Sequence, residues 1–239
     1  MIHIERVNMS FGALHVLRGA SLEVAAGEAV ALCGGNGAGK STLIQCVTGV
    51  HRYRGSISVG GFDVARQGKS ARRLIGYVPQ ELAFRDEMRV DEVVRFYGAL
   101  RGLRRVDVPS VLRQVELDGH ARARSRVLSG GMKQRLALAI ALLGEPPVLV
   151  LDELSASLDV DGRESFLRLL VGLRGEGRTV LFASHRPEEV EILAGRVAWI
   201  EGGRIVERLT RSGTAAGSRA VVSGQATKEI DHVEQLATA

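Results

Sequence analysis

The sequence predicts an α/β fold with a mostly parallel core sheet. Three observations carry that expectation. A short apolar run, Glu28-Ala29-Val30-Ala31-Leu32-Cys33, leads through a glycine-rich stretch into helix-type residues 41–50, with Leu43, Ile44 and Val47 on one side. A second apolar run at residues 148–151 ends in Asp152-Glu153. From there strand-like and helix-like stretches alternate, the pattern of a parallel sheet with helical crossovers.

The glycine-rich stretch is Gly34-Gly35-Asn36-Gly37-Ala38-Gly39-Lys40-Ser41-Thr42, which matches G-x-x-x-x-G-K-[ST], the phosphate-binding P-loop. Glycines reach backbone angles that other residues avoid and let the main chain approach an anion. The loop amides then point at phosphate oxygens from the positive end of a helix. Lys40 is placed to reach β- and γ-phosphates, and the Ser41 hydroxyl to hold Mg²⁺. The strand before and the helix after are the context the motif requires, so the core is expected to be that of a P-loop nucleoside triphosphatase.

The remaining elements follow in chain order. Residues 2–7, 16–24 and 29–33 are β-type runs, with a turn at Ala26-Gly27-Glu28. Residues 55–64 read as a hairpin turning at Gly60-Gly61, so an antiparallel β subdomain is expected near the N-terminus. A strand at 74–78 is ended by Pro79-Gln80. Val90, Val93, Val94 and Tyr97 then fall at helical spacing, and Asp107-Val108-Pro109 opens a second helix carrying Val111, Leu112 and Val115. After a charged loop at 122–126, Ser129-Gly130-Gly131 leads into a helix over 132–143, so residues 81–144 are expected to be an inserted helical subdomain. Helices are expected at 162–174 and 188–193 and a buried strand at 179–183, which is followed by Ser184-His185. Strands at 197–200 and 204–209 flank Glu201-Gly202-Gly203. Residues 1–209 thus form the folded domain, and the Gly/Ser/Ala-rich stretch from 210 places a flexible tail over 210–239.

Bulk properties limit the function. Hydrophobic residues make up 45%, ample for a core, while aromatics at 4% argue against base-stacking platforms and nucleic-acid binding. The net charge of +5 comes mostly from arginine, since the only lysines are Lys40, Lys69, Lys133 and Lys228. Cys33 and Cys46 sit in buried-type positions and make neither a disulfide framework nor a zinc site. The alternation of Ile2, Ile4 and Val7 with His3 and Glu5 reads as a strand rather than a signal peptide. No apolar run approaches the roughly 18 residues of a membrane span.

Two further motifs carry chemistry. The run at 148–151 delivers Asp152 to the carboxyl edge of the sheet, where such sheets bind ligands. There Asp152 is placed to hold Mg²⁺ and Glu153 to polarise an attacking water. In Leu128-Ser129-Gly130-Gly131-Met132-Lys133-Gln134, Ser129 is a good N-cap and the glycines expose amides at a helix start, a second anion-binding terminus.

With these motifs the chain resembles the ATPase subunit of an ABC transporter, bacterial export-type. Leu128 to Arg135 is similar to that family's signature sequence, and the likeness runs in the family's order over residues 1–209. The resemblance implies ATP and Mg²⁺ as ligands and ATP hydrolysis as the activity. Phe11 falls where the family stacks an aromatic on adenine, and Gln80 at its Q-loop, which senses Mg²⁺ and the membrane partner. Ser157-Leu158-Asp159 falls at the D-loop and His185 at the switch histidine, which contacts the γ-phosphate. Simpler uses stay open: Phe11 in the core, Gln80 capping a strand end, Asp159 as a helix N-cap. The resemblance further implies a head-to-tail homodimer, or a pseudo-symmetric ATPase pair. In that pair the P-loop of one domain faces Ser129, Gly130 and Gly131 of the other across ATP. A separate transmembrane permease would hold the pair peripherally on the cytoplasmic face of the membrane. The chain departs from the family pattern at Gly35, Leu154 and Val160, where proline is usual, and at Ser155-Ala156-Ser157. Two rival readings are weaker. A soluble ATPase of the same type acting on nucleic acid or ribosomes usually carries two ATPase units or long coiled-coil or zinc insertions, where this chain has one unit and a short helical insertion. A P-loop kinase leaves the signature run and His185 unexplained.

Overall fold

The computed structural model describes residues 1–153 and 158–208. The expected tail at 210–239, Ser157 of the D-loop run, and the departures at Leu154, Ser155 and Ala156 lie outside the described residues.

Two sheets organise the chain. The smaller is antiparallel, in the order β2-β1-β4-β5, from β1 (Ile2–Phe11), β2 (Leu14–Val24), β4 (Arg54–Val59) and β5 (Phe62–Asp63). The larger has six strands in the order β10-β9-β3-β8-β7-β6. Its members are β3 (Ala29–Cys33), β6 (Ile75–Val78), β7 (Val148–Asp152), β8 (Thr179–Ala183), β9 (Arg196–Glu201) and β10 (Arg204–Arg208). All its pairings are parallel except the β9–β10 hairpin. The α/β class and the division into an antiparallel and a mostly parallel sheet are as expected.

The central parallel strands β3, β7 and β8 are buried along their whole length and almost wholly apolar, because both faces are covered. Alternate residues point to opposite faces, so β3 sends Ala29, Ala31 and Cys33 into one core and Val30 and Leu32 into the other. One core is completed by α5 (Gly130–Leu142) and α6 (Val160–Gly175), the other by α1 (Lys40–Val47) and the antiparallel sheet. Cys33 and Cys46 contribute to opposite cores; both are free and buried, and burial pushes their thiols up to about 11 and about 12.

Between β6 and β7 the described chain is helical. It holds α3 (Val90–Leu100), α4 (Val108–Gln114) and α5, with short 3₁₀ turns at Asp118–His120 and Ser125–Val127. Several details differ from expectation. The charged loop at 122–126 includes part of the second 3₁₀ turn, because Ser125 is buried and bonds back to the Arg85 carbonyl and, through its amide, to Met88. A short helix, α2 (Gly68–Arg73), lies where no element was expected; its sequence has a single buried position, Ala71, so it leaves no periodic trace. Helix α1 stops at Val47, where Gly49 turns the chain at φ 76°. Among the described residues the last helix is α7 (Pro187–Leu193).

Helix α3 shows how charge fixes an element's start. Asp91, in its first turn, accepts from Arg89 Nε at 3.0 Å and Arg95 Nη1 at 2.9 Å, with its side chain 10% exposed. The Arg89 guanidinium holds the Asp91 carboxyl down to about 2. A depressed carboxyl stabilises the fold above its unfolded-state value and loses that stabilisation as pH falls toward the folded value. Asp91→Asn is therefore expected to cost about 1–2 kcal/mol at neutral pH, discounted because the arginines are partly solvated. Urea melts of both proteins should show the gap constant above pH about 5 and narrowing below about 4.

Candidate active site

The site forms at the carboxyl edge of the parallel sheet, where β3, β7 and β8 end side by side. β3 runs into the phosphate loop, whose geometry needs its glycines at named points. Gly34 sits at φ 146° and a Cβ there would stand 2.5 Å from the Ile200 carbonyl oxygen. Gly39 caps α1 at φ 109° and packs on Val16 and Leu17 of β2. Gly37 is also left-handed, at φ 74°. Gly35 differs: its φ lies outside the positive range and a Cβ would meet nothing within 4 Å.

Lys40 is 7% exposed, and its ammonium donates to the carbonyls of Gly34 at 2.8 Å and Gly35 at 3.0 Å. A buried charge thereby holds the loop in a closed curve and stays beside the exposed Asn36 and Gly37. Ser41 Oγ donates to Asp152 Oδ1 at 2.8 Å, joining α1 to the end of β7. Asp152 is 2% exposed, and burial raises its carboxyl above the usual range, opposed by the Ser41 bond and the nearby Lys40 charge. Glu153 follows at φ 55°, a left-handed conformation that costs a non-glycine residue about 1–2 kcal/mol. Its Oε2 accepts from Gln80 Nε2 at 2.9 Å, so the loop after β6 reaches across to the end of β7.

His185 stands two residues beyond Ala183, the carboxyl end of β8, and is exposed. Its neighbours are pinned. The Ser184 amide donates to Leu32 O, Ser184 Oγ donates to Glu189 Oε2 at 2.6 Å, and the Arg186 amide donates to Ser184 Oγ at 3.0 Å. His185 and Gly34 share a cavity of about 410 Å³ floored by Cys33 and Trp199. Ser184 and the buried Glu189 thus fix the backbone that carries the histidine. Neither was singled out from sequence; the signal was a small polar residue directly after a buried strand and an acid in the next helix's first turn.

Phe11 ends β1 at the hairpin tip, 48% exposed, edge-on to His51 at 5.2 Å, so it is not a core residue. Asp159 does cap α6, accepting from the Gly162 amide at 3.0 Å. Ser129 caps α5, accepting from the Met132 amide at 3.2 Å. Gly130 and Lys133 border a cleft with Gln80, Glu81 and Leu82. Among the described residues no hydrogen bond joins Ser129, Gly130 or Gly131 to the phosphate loop. The structure therefore gathers Lys40, Ser41, Gln80, Asp152 and Glu153, sets His185 beside Gly34, and keeps the second helix terminus apart.

The donor set suits a hard divalent cation. Ser41 and Asp152 offer neighbouring oxygens, and among the described residues no group of three or more His, Cys, Asp or Glu side chains makes an all-protein metal cage. Mg²⁺ favours such a site, taking one or two protein oxygens and completing its shell with phosphate and water.

Fold and site together define a P-loop nucleotide-binding ATPase. The family model described as ABC transporter matches residues 17–156. The chain is 34% identical over 211 residues to the linearmycin resistance ATP-binding protein LnrL of Bacillus subtilis (strain 168), covering 86% of this chain and 68% of that one. It is 37% identical over 208 residues to the Nod factor export ATP-binding protein I of Paraburkholderia xenovorans (strain LB400), covering 85% and 68%. A solved ATP binding subunit of an ABC transporter superposes with a TM-score of 0.76 at 28% identity, covering 86% and 88%. This chain belongs to the ABC transporter family, as an ATP-binding subunit with ATPase activity.

The loop geometry separates two adjacent glycines. Gly35→Ala is expected to raise stability by about 0.4–1 kcal/mol by restricting the unfolded chain. Gly34→Ala is expected to lower it by about 1–3 kcal/mol through collision with Ile200 and to weaken ATP binding. Denaturant melts and a fluorescent-nucleotide titration of both variants check the pair.

Proposed function

We propose that this chain hydrolyses ATP as one half of a head-to-tail pair and drives a separate transmembrane subunit, in the direction of export. The observation that carries the reading is the presence of two anion-binding helix starts, at Lys40 and at Ser129–Gly131, which do not meet within one chain. A second copy, or a related ATPase, brings its Ser129, Gly130 and Gly131 amides to ATP held on the first copy's loop. Residues 1–209 act as the ATPase domain.

In this reading the amides of Gly34 to Thr42 cradle the phosphates, and Lys40 exchanges its loop carbonyls for β- and γ-phosphate oxygens. Phe11 stacks on the adenine. Ser41 and Asp152, with Gln80, hold Mg²⁺, which when bound neutralises charge on the β- and γ-phosphates. Glu153 takes a proton from the attacking water, while Gln80, now bonded to Glu153, keeps that carboxylate oriented. His185 contacts the γ-phosphate from the β8 side. Asp159 lies at the facing edge of the pair. ATP closes the pair because both halves contact it, and loss of the γ-phosphate opens it, so the bound nucleotide biases one of two states.

The names of relatives with resistance and export roles support the direction. No helix among the described residues is long and apolar enough to cross a membrane; in this reading the partner holds the chain on the inner face.

Three variants test the reading. Lys40→Ala should abolish tight ATP binding. Glu153→Gln should retain ATP, accumulate as an ATP-bound dimer on size exclusion, and lose about 10²–10⁴-fold in turnover. Ser129→Ala should bind ATP normally as a monomer yet hydrolyse it poorly. Wild-type turnover by Glu153→Gln, or loss of monomer binding by Ser129→Ala, would sink these assignments.

A further inference from the structure

Arg135 projects from α5 and bonds to two other segments at once. Its Nη1 donates to the Val115 carbonyl at 2.9 Å and to Glu116 Oε2 at 2.5 Å, and its Nη2 donates to Ser165 Oγ on α6 at 2.8 Å. The Arg135 side chain is 14% exposed and its bonds to the Val115 carbonyl and Ser165 Oγ are partly buried, while the Glu116 carboxylate faces solvent at 57% exposed. Glu116, at φ 56°, is held in a left-handed turn where its carboxylate and the preceding carbonyl both meet the guanidinium.

The positions of the two bonded residues carry the argument. Arg135 lies six positions after Ser129, the N-cap of α5, and Ser165 lies six positions after Asp159, the N-cap of α6. At 1.5 Å per residue each is about 9 Å down its helix from the cap. Their bond therefore sets the two helix starts level. Near the caps the same alignment recurs, since a Cβ on Gly131 would stand 3.4 Å from Leu158 Cδ2. The planar fork of arginine fixes direction as well as distance, which a lysine ammonium does not.

We propose that Arg135 is a positioning residue for ATP hydrolysis: it locks the Ser129–Gly131 amides and Asp159 into one rigid edge that meets ATP held by a second copy. The inference rests on the shared-site reading above. Arg135 acts through the offset of α5 against α6 and touches no phosphate, so ATP binding by one chain does not require it and turnover does.

The test uses the full chain and Mg-ATP, with Arg135→Lys, Arg135→Ala and Ser165→Ala beside Ser129→Ala as the reference. Monomer ATP affinity should stay within twofold in all four. At saturating ATP, kcat should fall tenfold or more for both Arg135 variants and threefold or more for Ser165→Ala. The Arg135→Lys/Ser165→Ala double variant should be no slower than Arg135→Lys alone, because both remove the same bond. Added to Glu153→Gln, Arg135→Lys should weaken the ATP-held dimer at least tenfold. Ser165→Ala keeps the test open if Arg135→Ala does not fold. Turnover within twofold of wild type for Arg135→Lys and Ser165→Ala, with Ser129→Ala inactive, overturns the proposal. So does a loss that follows the melting temperature and recovers on cooling the assay. Wild-type turnover by Ser129→Ala overturns the shared site itself, and the role of Arg135 with it.

Discussion

The hydrogen bond from Ser41 to Asp152 is the constraint on which the site depends. A carboxylate that is 2% exposed is expensive to ionise, and burial raises the Asp152 pKa accordingly. Two groups on the first turn of α1 oppose that cost, the Ser41 hydroxyl and the Lys40 charge. The phosphate loop and the end of β7 are thus fixed relative to each other by the need to keep one buried carboxylate satisfied. The sign is informative. A raised carboxyl makes the folded chain hold its proton more tightly than the unfolded one, so folding loses stability as pH rises through that window. Asp152 draws on stability that the doubly covered sheet supplies.

A second coupling runs through β6. A Cβ on Gly76 would stand 2.3 Å from the Ala141 carbonyl oxygen, so glycine lets the backbone of α5 rest directly on the strand. β6 ends at Val78, just before Gln80, and α5 begins at Gly130. Gln80 and the Ser129 cap therefore stand on elements in close backbone contact. Residues 85–91 are further stitched to residues 121–126 by backbone bonds from Val90 to Ala123, Asp91 to Ala121 and Ser125 to Met88. The chain that follows Gln80 and the chain that precedes Ser129 are built as one packed body.

Much of this was legible in the sequence because the signals were local. The phosphate loop, the apolar run before Asp152 and the Ser129 cap each depend on residues within a few positions, and fully buried strands announce themselves as unbroken apolar runs. The helix α2 was not legible, because a single buried alanine makes no period. The bonds from Gln80 to Glu153 and from Arg135 to Ser165 were not legible either, since they span 73 and 30 positions and depend on strand order and helix offset. The same holds for Ser184 and Glu189, whose value lies in where they place His185. Composition identifies which residues can do chemistry; the long-range bonds decide how they are held.

Glu153 joins these strands of argument. Its left-handed backbone costs about 1–2 kcal/mol, and such strain persists only where surrounding contacts over-determine it. On one side it follows the buried Asp152; on the other its carboxylate is held by Gln80. Gln80 stands two residues beyond the edge strand β6, which rests on α5. A displacement of α5 relative to the sheet would therefore be felt at the Glu153 carboxylate through β6 and Gln80. With the roles proposed above, the same helix that would meet the second copy's ATP is mechanically linked to the base acting on this copy's own ATP.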